Sequence, residues 1–423
     1  MTQIKQGQTH STLVAAKRLV ERSTKTTITS SIEHSRALLK EVNHKIHSNP
    51  ELAYTEHKAH DTLVAALQIL DDVEVTPHAF GLETAFLAEF GSGGRVIAFN
   101  AEYDALPGIG HACGHNLIAT SALGAFVGAV AALKTSGKPG RVRLLGTPAE
   151  ERGGGKIDLI KAGAYKDVDA CLMLHPGSTN DYPKNLFGTS FDPTLATTDF
   201  EITFTGLPAH AALAPWKGIN ALDAVVQGYN SVSALRQQIQ PDERVHGIIS
   251  HGGDAVNIIP DHATVQYGVR APTLSGTHLL RERVINCFRG AALATGCEMS
   301  LKQQMEYADM RPNRPIATAY AEVMANLGYD IECNFEAAAV PASTDQGNVS
   351  YECPSWQGGF GIVTEKDVYN HTRGFTKSAG TPDAFHRCVE ACKGMAMVGF
   401  QVLVDDSFAK KIREDFESWG KED

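Results

Sequence analysis

Two hydrophobic periods alternate along most of the chain. Ile32, Leu38, Leu39, Val42 and Ile46 fall on one side of a 3.6-residue repeat, which predicts an amphipathic helix. Ser30 with Glu33 three residues on fits a capping box at its start, and the helix should stop before Pro50. The period then changes. "RVIAF", "RVRLL" and "ACLML" are short unbroken apolar runs, the mark of strands buried on both faces. Between them, "NLIATSALGAFVGAVAALKTSG" and "GKIDLIKAGA" read as helices. Short apolar strands alternating with helices predict an α/β domain with a mostly parallel sheet.

Near residue 195 the pattern changes again. "TDFEITFTG" alternates like a half-exposed strand. A helix is expected at about 219–238, strands at "VHGIISH" and "TVQYGVRA", a helix at about 275–294 and a strand at about 298–307. This βαββαβ order is the ferredoxin-like unit. After Pro312 the helix–strand alternation resumes and closes on the helix "TPDAFHRCVEACKGMAMVGFQVL". The expected organisation is a polar arm over 1–28, a discontinuous α/β domain over 29–194 and 308–423, and an inserted α+β domain over 195–307.

Composition narrows the partners. The chain has 423 residues, 43% hydrophobic, with a formal net charge of −10, enough for a large core and for more than one domain. An acidic chain repels phosphate backbones, so no nucleic-acid partner is expected. The longest apolar run, "ATSALGAFVGAVAAL", stops near fifteen residues, whereas a membrane span needs roughly twenty; a buried helix and no membrane partner are expected. The first residues show neither a signal-peptide core nor a convincing transit-peptide bias, and the eight scattered cysteines form no disulfide framework. A cytoplasmic location with free thiols follows as the expectation.

The candidate chemistry gathers just past strands, where open parallel sheets form their sites. "AEYDALPGIGHACGHN" brings Glu102, Asp104, His111, Cys113 and His115 after "RVIAF". Glu150 and Glu151 follow "RVRLL" in "GTPAEE", His175 follows "ACLML", and His371 lies in "VYNHTRGF". Each signal is weak alone: a lone histidine after a strand is more often a core residue, and paired glutamates are usually solvated. Four clusters of ligand-type residues at four strand ends are hard to attribute to accident. Thiol, imidazole and carboxylate form a borderline-soft set suited to zinc, or to manganese, cobalt or nickel. Gly114 lets the backbone bend between Cys113 and His115. The "GGG" at 153–155 lacks the frame of a phosphate-binding loop. His44, His47, His57, His60 and His111 are read as surface or packing residues.

The motifs "HSNPELAYTE", "AEYDALPGIGHACGHN", "GTPAEERGGGKIDLI", "FTGLPAHAALAPWKGINALDA", "GGDAVNIIPDHA", "ASTDQGNVS" and "NHTRGFTKSAGTPDA" span about 44–385. Together they resemble metallopeptidase family M-20, in the amidohydrolase and dipeptidase branch where a cysteine replaces the usual bridging aspartate. The resemblance implies one or two divalent ions held by Cys113, His115, Glu151, His175 and His371, with Cys113 bridging. It implies Glu150 as general base and Asp104 as the carboxylate that orients a ligand. His210 in "GLPAHAA" would grip the substrate carbonyl or carboxylate, and Asn257 in "AVNIIP" would share that surface. The inserted domain would be a lid and a homodimer interface. "FNAEYDALP" departs from the aminoacylase-type members in having no histidine two residues before Asp104, a loss for which the Cys-x-His pair compensates. The implied activity is hydrolysis of an amide bond in a small dipeptide or N-acyl amino acid. A biosynthetic relative making or processing amides, and a non-catalytic peptide-binding scaffold, are the alternatives at this point.

Overall fold

The structure is a computed structural model that describes residues 23–183 and 186–419. Twelve strands among these residues form two sheets. They are β1 (Glu74–Pro77), β2 (Phe86–Ser92), β3 (Val96–Ala101), β4 (Gly140–Gly146), β5 (Ala170–Ser178), β6 (Gly188–Thr189), β7 (Ala196–Thr205), β8 (Arg244–His251), β9 (His262–Ala271), β10 (Glu298–Tyr307), β11 (Ile331–Glu332) and β12 (Ser355–Ile362).

The larger sheet runs β1-β2-β4-β3-β5-β12-β6-β11. Its centre, β4-β3-β5-β12, is wholly parallel. Antiparallel pairings of β1 with β2, β2 with β4 and β12 with β6 extend it outward. The sequence did not announce these edge strands, because β6 and β11 have two residues each and β1 is largely exposed. β3 shows why the central runs are continuously apolar. Ile97, Phe99 and Ala101 face the main core, while Val96 and Ala98 pack on the other side with Leu145, Leu159 and Tyr165. Each such fully buried Ile or Phe contributes about 1.5–3 kcal/mol.

The main core is built around helix His115–Ser136, packed against helices Arg36–Ser48 and Pro382–Val404. By length and composition His115–Ser136 could cross a membrane, but it is almost entirely enclosed by protein.

The smaller sheet, β10-β7-β9-β8, is antiparallel throughout and carries helices Ala221–Leu235 and Leu274–Thr295. Its element order is the βαββαβ expected, and it has its own core around Phe200, Tyr267 and Phe288.

Three local expectations are corrected. Residues 23–34 are already helical, so Ser30 lies inside a helix and does not cap one. Ile28 is fully buried beside Gly128, which extends ordered chain into the expected arm. Residues 1–22 of that arm lie outside the described residues. Glu33 instead pairs with Arg36 and Lys393. The chain also does not end on Pro382–Val404, since helix Asp406–Trp419 follows and buries Phe408 and Ile412.

Candidate metal centre

Seven of the residues singled out converge at the carboxyl end of the parallel strands. Asp104 follows β3, Glu150 and Glu151 follow β4, and His175 lies near the end of β5. Cys113 and His115 flank Gly114, whose left-handed φ of 81° forms the cap of helix His115–Ser136. A side chain at Gly114 would stand 2.6 Å from Pro176 Cγ, so only glycine makes this close turn. His371 also has a left-handed φ, 65°, held where its N–H donates to the Ala112 carbonyl at 2.8 Å. A non-glycine residue kept in that region stores strain, which is common at functional sites.

Asp104 organises the interior. Its Oδ1 stands 3.0 Å from His115 Nδ1, and its Oδ2 accepts the Glu151 N–H at 2.9 Å. His115 therefore turns Nε2 inward, 3.5 Å from Glu102, and 3.8 Å from both Glu150 and Glu151. His175 Nδ1 faces the Pro176 carbonyl at 2.9 Å, leaving Nε2 3.4 Å from Cys113 Sγ. His371 Nε2 is 3.7 Å from Glu151.

Donor atoms within 4.8 Å of one another form three groups: Cys113, His115 and His175; Cys113, Glu151 and His371; and Glu102, His115 and Glu150. Cys113 belongs to the first two. Neither His210 nor Asn257 belongs to any of them. These two lie together on exposed loops of the inserted unit, where His210 bridges Ile258 and the Asn257 carbonyl accepts the Ala211 N–H at 3.0 Å. His210 Nδ1 accepts the N–H groups of Ala212 and Leu213, each at 3.2 Å.

The electrostatics show a centre short of positive charge. Burial, and then the charges of Glu102 and Glu151, push the Glu150 carboxyl well above its ordinary range. Burial raises Glu151 too, against the pull of His115 and His371. Burial, and then Glu151, push the Cys113 thiol up, and burial takes His175 down to about 4. For His115 burial works downward, but Asp104 and Cys113 outweigh it and hold the imidazole well above its usual value. Asp104 is held low by His115, the Glu151 N–H and Lys156, against the effect of burial.

His115 Nε2, Glu151 Oε1 and Glu102 Oε2 are all buried with no hydrogen-bond partner. Orphaned donor atoms of this kind are costly unless something pairs with them. A sulfur, nitrogen and oxygen donor set around such atoms fits a divalent transition ion.

Sequence reasoning left three residues of this region unassigned. Glu102 is fully buried, and its Oε1 lies 2.5 Å from Lys156 Nζ. Lys156 Nζ is also 2.5 Å from Asp345 Oδ1, and its backbone N–H donates to Asp345 Oδ2 at 2.9 Å. The "GGG" before Lys156 is the device that brings it inward. Gly153 and Gly154 have φ of 117° and 75°, and a side chain on Gly155 would collide with the Pro148 carbonyl. The available signal was spacing: Glu102 and Asp104 are two apart just past β3, and both side chains approach His115. His111 is a packing residue, buried with Nε2 3.0 Å from the Ile46 carbonyl.

The chain is 40% identical over 399 residues to Xaa-Arg dipeptidase of Mus musculus, covering 91% of this chain and 90% of that one. The Homo sapiens Xaa-Arg dipeptidase is 39% identical over 403 residues, with 91% and 90% covered. Among solved structures, the Bacillus subtilis YXEP protein, a dinuclear metal binding peptidase from the M20 family, superposes with a TM-score of 0.65 at 22% identity, covering 88% of this chain and 99% of that one. The aminobenzoyl-glutamate utilization protein of Klebsiella pneumoniae superposes with a TM-score of 0.64 at 18% identity, covering 89% and 98%. Residues 98–397 match the model of Peptidase family M20/M25/M40, a span that includes every one of the seven converging side chains. The chain belongs to Peptidase family M20/M25/M40, and it is a peptidase or amidohydrolase.

Proposed function

We propose that this protein is a two-ion dipeptidase that cleaves the amide bond of a small dipeptide with a basic residue at its carboxyl end. The observation that carries the reading is the shared thiol: Cys113 stands in one donor group with His115 and His175, and in another with Glu151 and His371. Those five side chains would hold the ions. Zinc is the ion this donor set favours, with manganese, cobalt and nickel as alternatives. When bound, such ions supply Lewis-acid activation of water and of the amide carbonyl.

Glu150 is the general base. The residue is only 8% exposed, and its carboxyl lies among carboxylate neighbours that raise its affinity for a proton. A carboxylate so placed takes a proton from the attacking water and returns it to the leaving amine. Asp104 orients both His115 and Glu151 by holding the Nδ1 of one and the backbone of the other. His210 offers a donor from the inserted unit. With Nδ1 accepting two N–H groups its proton lies on Nε2, which is the tautomer needed to meet charge developing on the carbonyl oxygen. Asn257 belongs to the same substrate-facing loops.

The Xaa-Arg dipeptidases, about 40% identical over nearly the whole chain, support the basic-dipeptide assignment. The reading includes a homodimer formed through the inserted unit. β8 is an edge strand with Ile248 and Ile249 exposed, and Leu213, Trp216 and Val256 are exposed on the loops near His210; such an edge invites pairing with a second copy. It also includes a cytoplasmic location, consistent with eight unpaired thiols.

The test is metal-reconstituted protein against β-alanyl, Xaa-Arg, Xaa-Lys, N-acyl and aminobenzoyl-glutamate amides, with free amine as the readout and metal analysis of the same sample. Release from the basic dipeptides, abolished by a chelator, is expected. Full metal loading with no release from any member of the panel refutes it.

A further inference from the structure

One peptide unit joins Glu150 to Glu151: its carbonyl belongs to the first and its N–H to the second. Two side chains from distant parts of the chain grip that unit at both ends. The Tyr307 hydroxyl donates to the carbonyl at 2.6 Å, and Asp104 Oδ2 accepts the N–H at 2.9 Å. A peptide unit is a rigid plane, so fixing both ends fixes its orientation. The residue before it is tied down too. Ala149 has a left-handed φ of 60°, its N–H donates to Glu56 Oε1 at 2.8 Å, and its carbonyl accepts the Gly154 N–H at 3.0 Å. A non-glycine residue stays in that region only where its surroundings hold it there. The grip of Asp104 belongs to the metal centre; that of Tyr307 comes from the inserted unit.

Tyr307 is itself well anchored. It is the last residue of β10, the strand by which the chain leaves the inserted unit, and it is 3% exposed. Its ring lies over Gly154, where an added side chain would stand 2.9 Å from Tyr307 Cε1. Asn348 brackets it along the backbone: Oδ1 accepts the Ala308 N–H at 3.2 Å, and Nδ2 donates to the Glu306 carbonyl at 3.4 Å. Burial, then the charges of Asp345 and Glu150, push the phenol up, so the hydroxyl keeps its proton and remains a donor.

We propose that Tyr307 is a positioning residue, which locks the peptide between Glu150 and Glu151 and so keeps the Glu150 carboxylate aimed into the centre. Resting on the general-base role of Glu150, this ties the aim of the base to the root of the inserted unit. Asp104 holds the Glu151 side of the peptide in any case, so loss of the phenolic hydroxyl frees the base more than the ligand. A misplacement of about 1 Å at a reacting group costs up to about a hundredfold in rate.

Tyr307→Phe keeps the ring over Gly154 and removes only the hydroxyl. Turnover of the dipeptide Ala-Arg and zinc affinity by competitive titration are measured on the full-length, metal-reconstituted protein for the wild type, Tyr307→Phe, Glu150→Gln and the double variant. Tyr307→Phe should lower kcat by about tenfold to a hundredfold, with KM and zinc affinity within about twofold. In the Glu150→Gln background the same change should alter kcat by less than about twofold, because the group it positions is gone and residues acting as a unit do not add. Unchanged kcat overturns the proposal. So does an equal loss in both backgrounds, which is what a packing role would give, and so does a loss that follows zinc affinity. Asn348→Ala, which frees the strand end carrying the phenol, enters the same cycle if Tyr307→Phe does not fold, and its loss should likewise vanish with Glu150. Near-native turnover in Glu150→Gln alone would overturn the general-base reading itself, and so is told apart from a failure of Tyr307.

Discussion

Gly114 is the narrowest point of the site, and replacing it with alanine gives a sharp test. Its φ of 81° lies in the left-handed region, where an L-side chain costs about 1–2 kcal/mol. The new Cβ would stand 2.6 Å from Pro176 Cγ and 3.2 Å from Phe375 Cε1. Neither ring is the loose end of a flexible chain, and overpacking of this kind costs about 1–3 kcal/mol more. The strain totals about 2–5 kcal/mol, and the cheapest relief is rotation of the turn that spaces Cys113 from His115. Since 1.4 kcal/mol is tenfold in affinity, even partial relief at the ligands' expense weakens an ion there by about tenfold or more. Gly137→Ala is the control. It ends the same helix at a φ of 62° but has nothing within 4 Å of the added carbon, so it pays only the backbone cost. Both variants are compared by scanning calorimetry and by competitive zinc titration. Gly114→Ala should melt lower than Gly137→Ala and lose metal affinity, while the control keeps it. Equal melting temperatures with unchanged affinity would refute the reasoning.

Other substitutions separate the remaining roles. Glu150→Gln should keep its metal and lose about two to four decades of turnover; near-native turnover with full loading would remove the general-base assignment. Cys113→Ala should lower content at both ion positions, read as metal per chain, because the thiol belongs to both donor groups. His210→Ala should cut turnover at unchanged metal content, whereas unaltered kinetics would make it a loop cap only. Glu56 gives a pH signature. Burial, then the Asp104 charge, push its carboxyl from an ordinary 4.5 to about 7. A folded value above the unfolded one means its stability contribution is whole below about 4.5 and is lost as pH rises through about 7. The loss is at most about 3 kcal/mol. Glu56→Gln still accepts the Ala149 N–H and should flatten the fall in melting temperature over that window; an unchanged slope would count against it.

Much of this was legible in the sequence wherever burial is two-sided. β3, β4 and β5 leave unbroken apolar runs, and helix His115–Ser136 is apolar on nearly every side because protein surrounds it. The inserted unit was readable because its period changes from strand to helix at each junction. Elements that make few apolar contacts left little trace, such as β1 at the edge and Asp406–Trp419, with two buried residues. The donors were visible because four clusters of ligand-type residues, each weak alone, coincide at four strand ends. Glu102 was not, since its meaning depends on Lys156 and Asp345, which lie 54 and 243 positions further along. Ser30 misled because a capping box is a local pattern, while Ile28 is buried by a helix far away in sequence.

The order in which the donors occur along the polypeptide has a consequence for biosynthesis. Cys113, His115 and His175 leave the ribosome before the inserted unit is made, and His371 leaves long after it. On the two-ion reading, a nascent chain can chelate its first ion early, while the second waits until translation is almost finished. Occupancy of that second position therefore reports a completed polypeptide, and a chain released prematurely before His371 would carry a half-loaded, inactive centre.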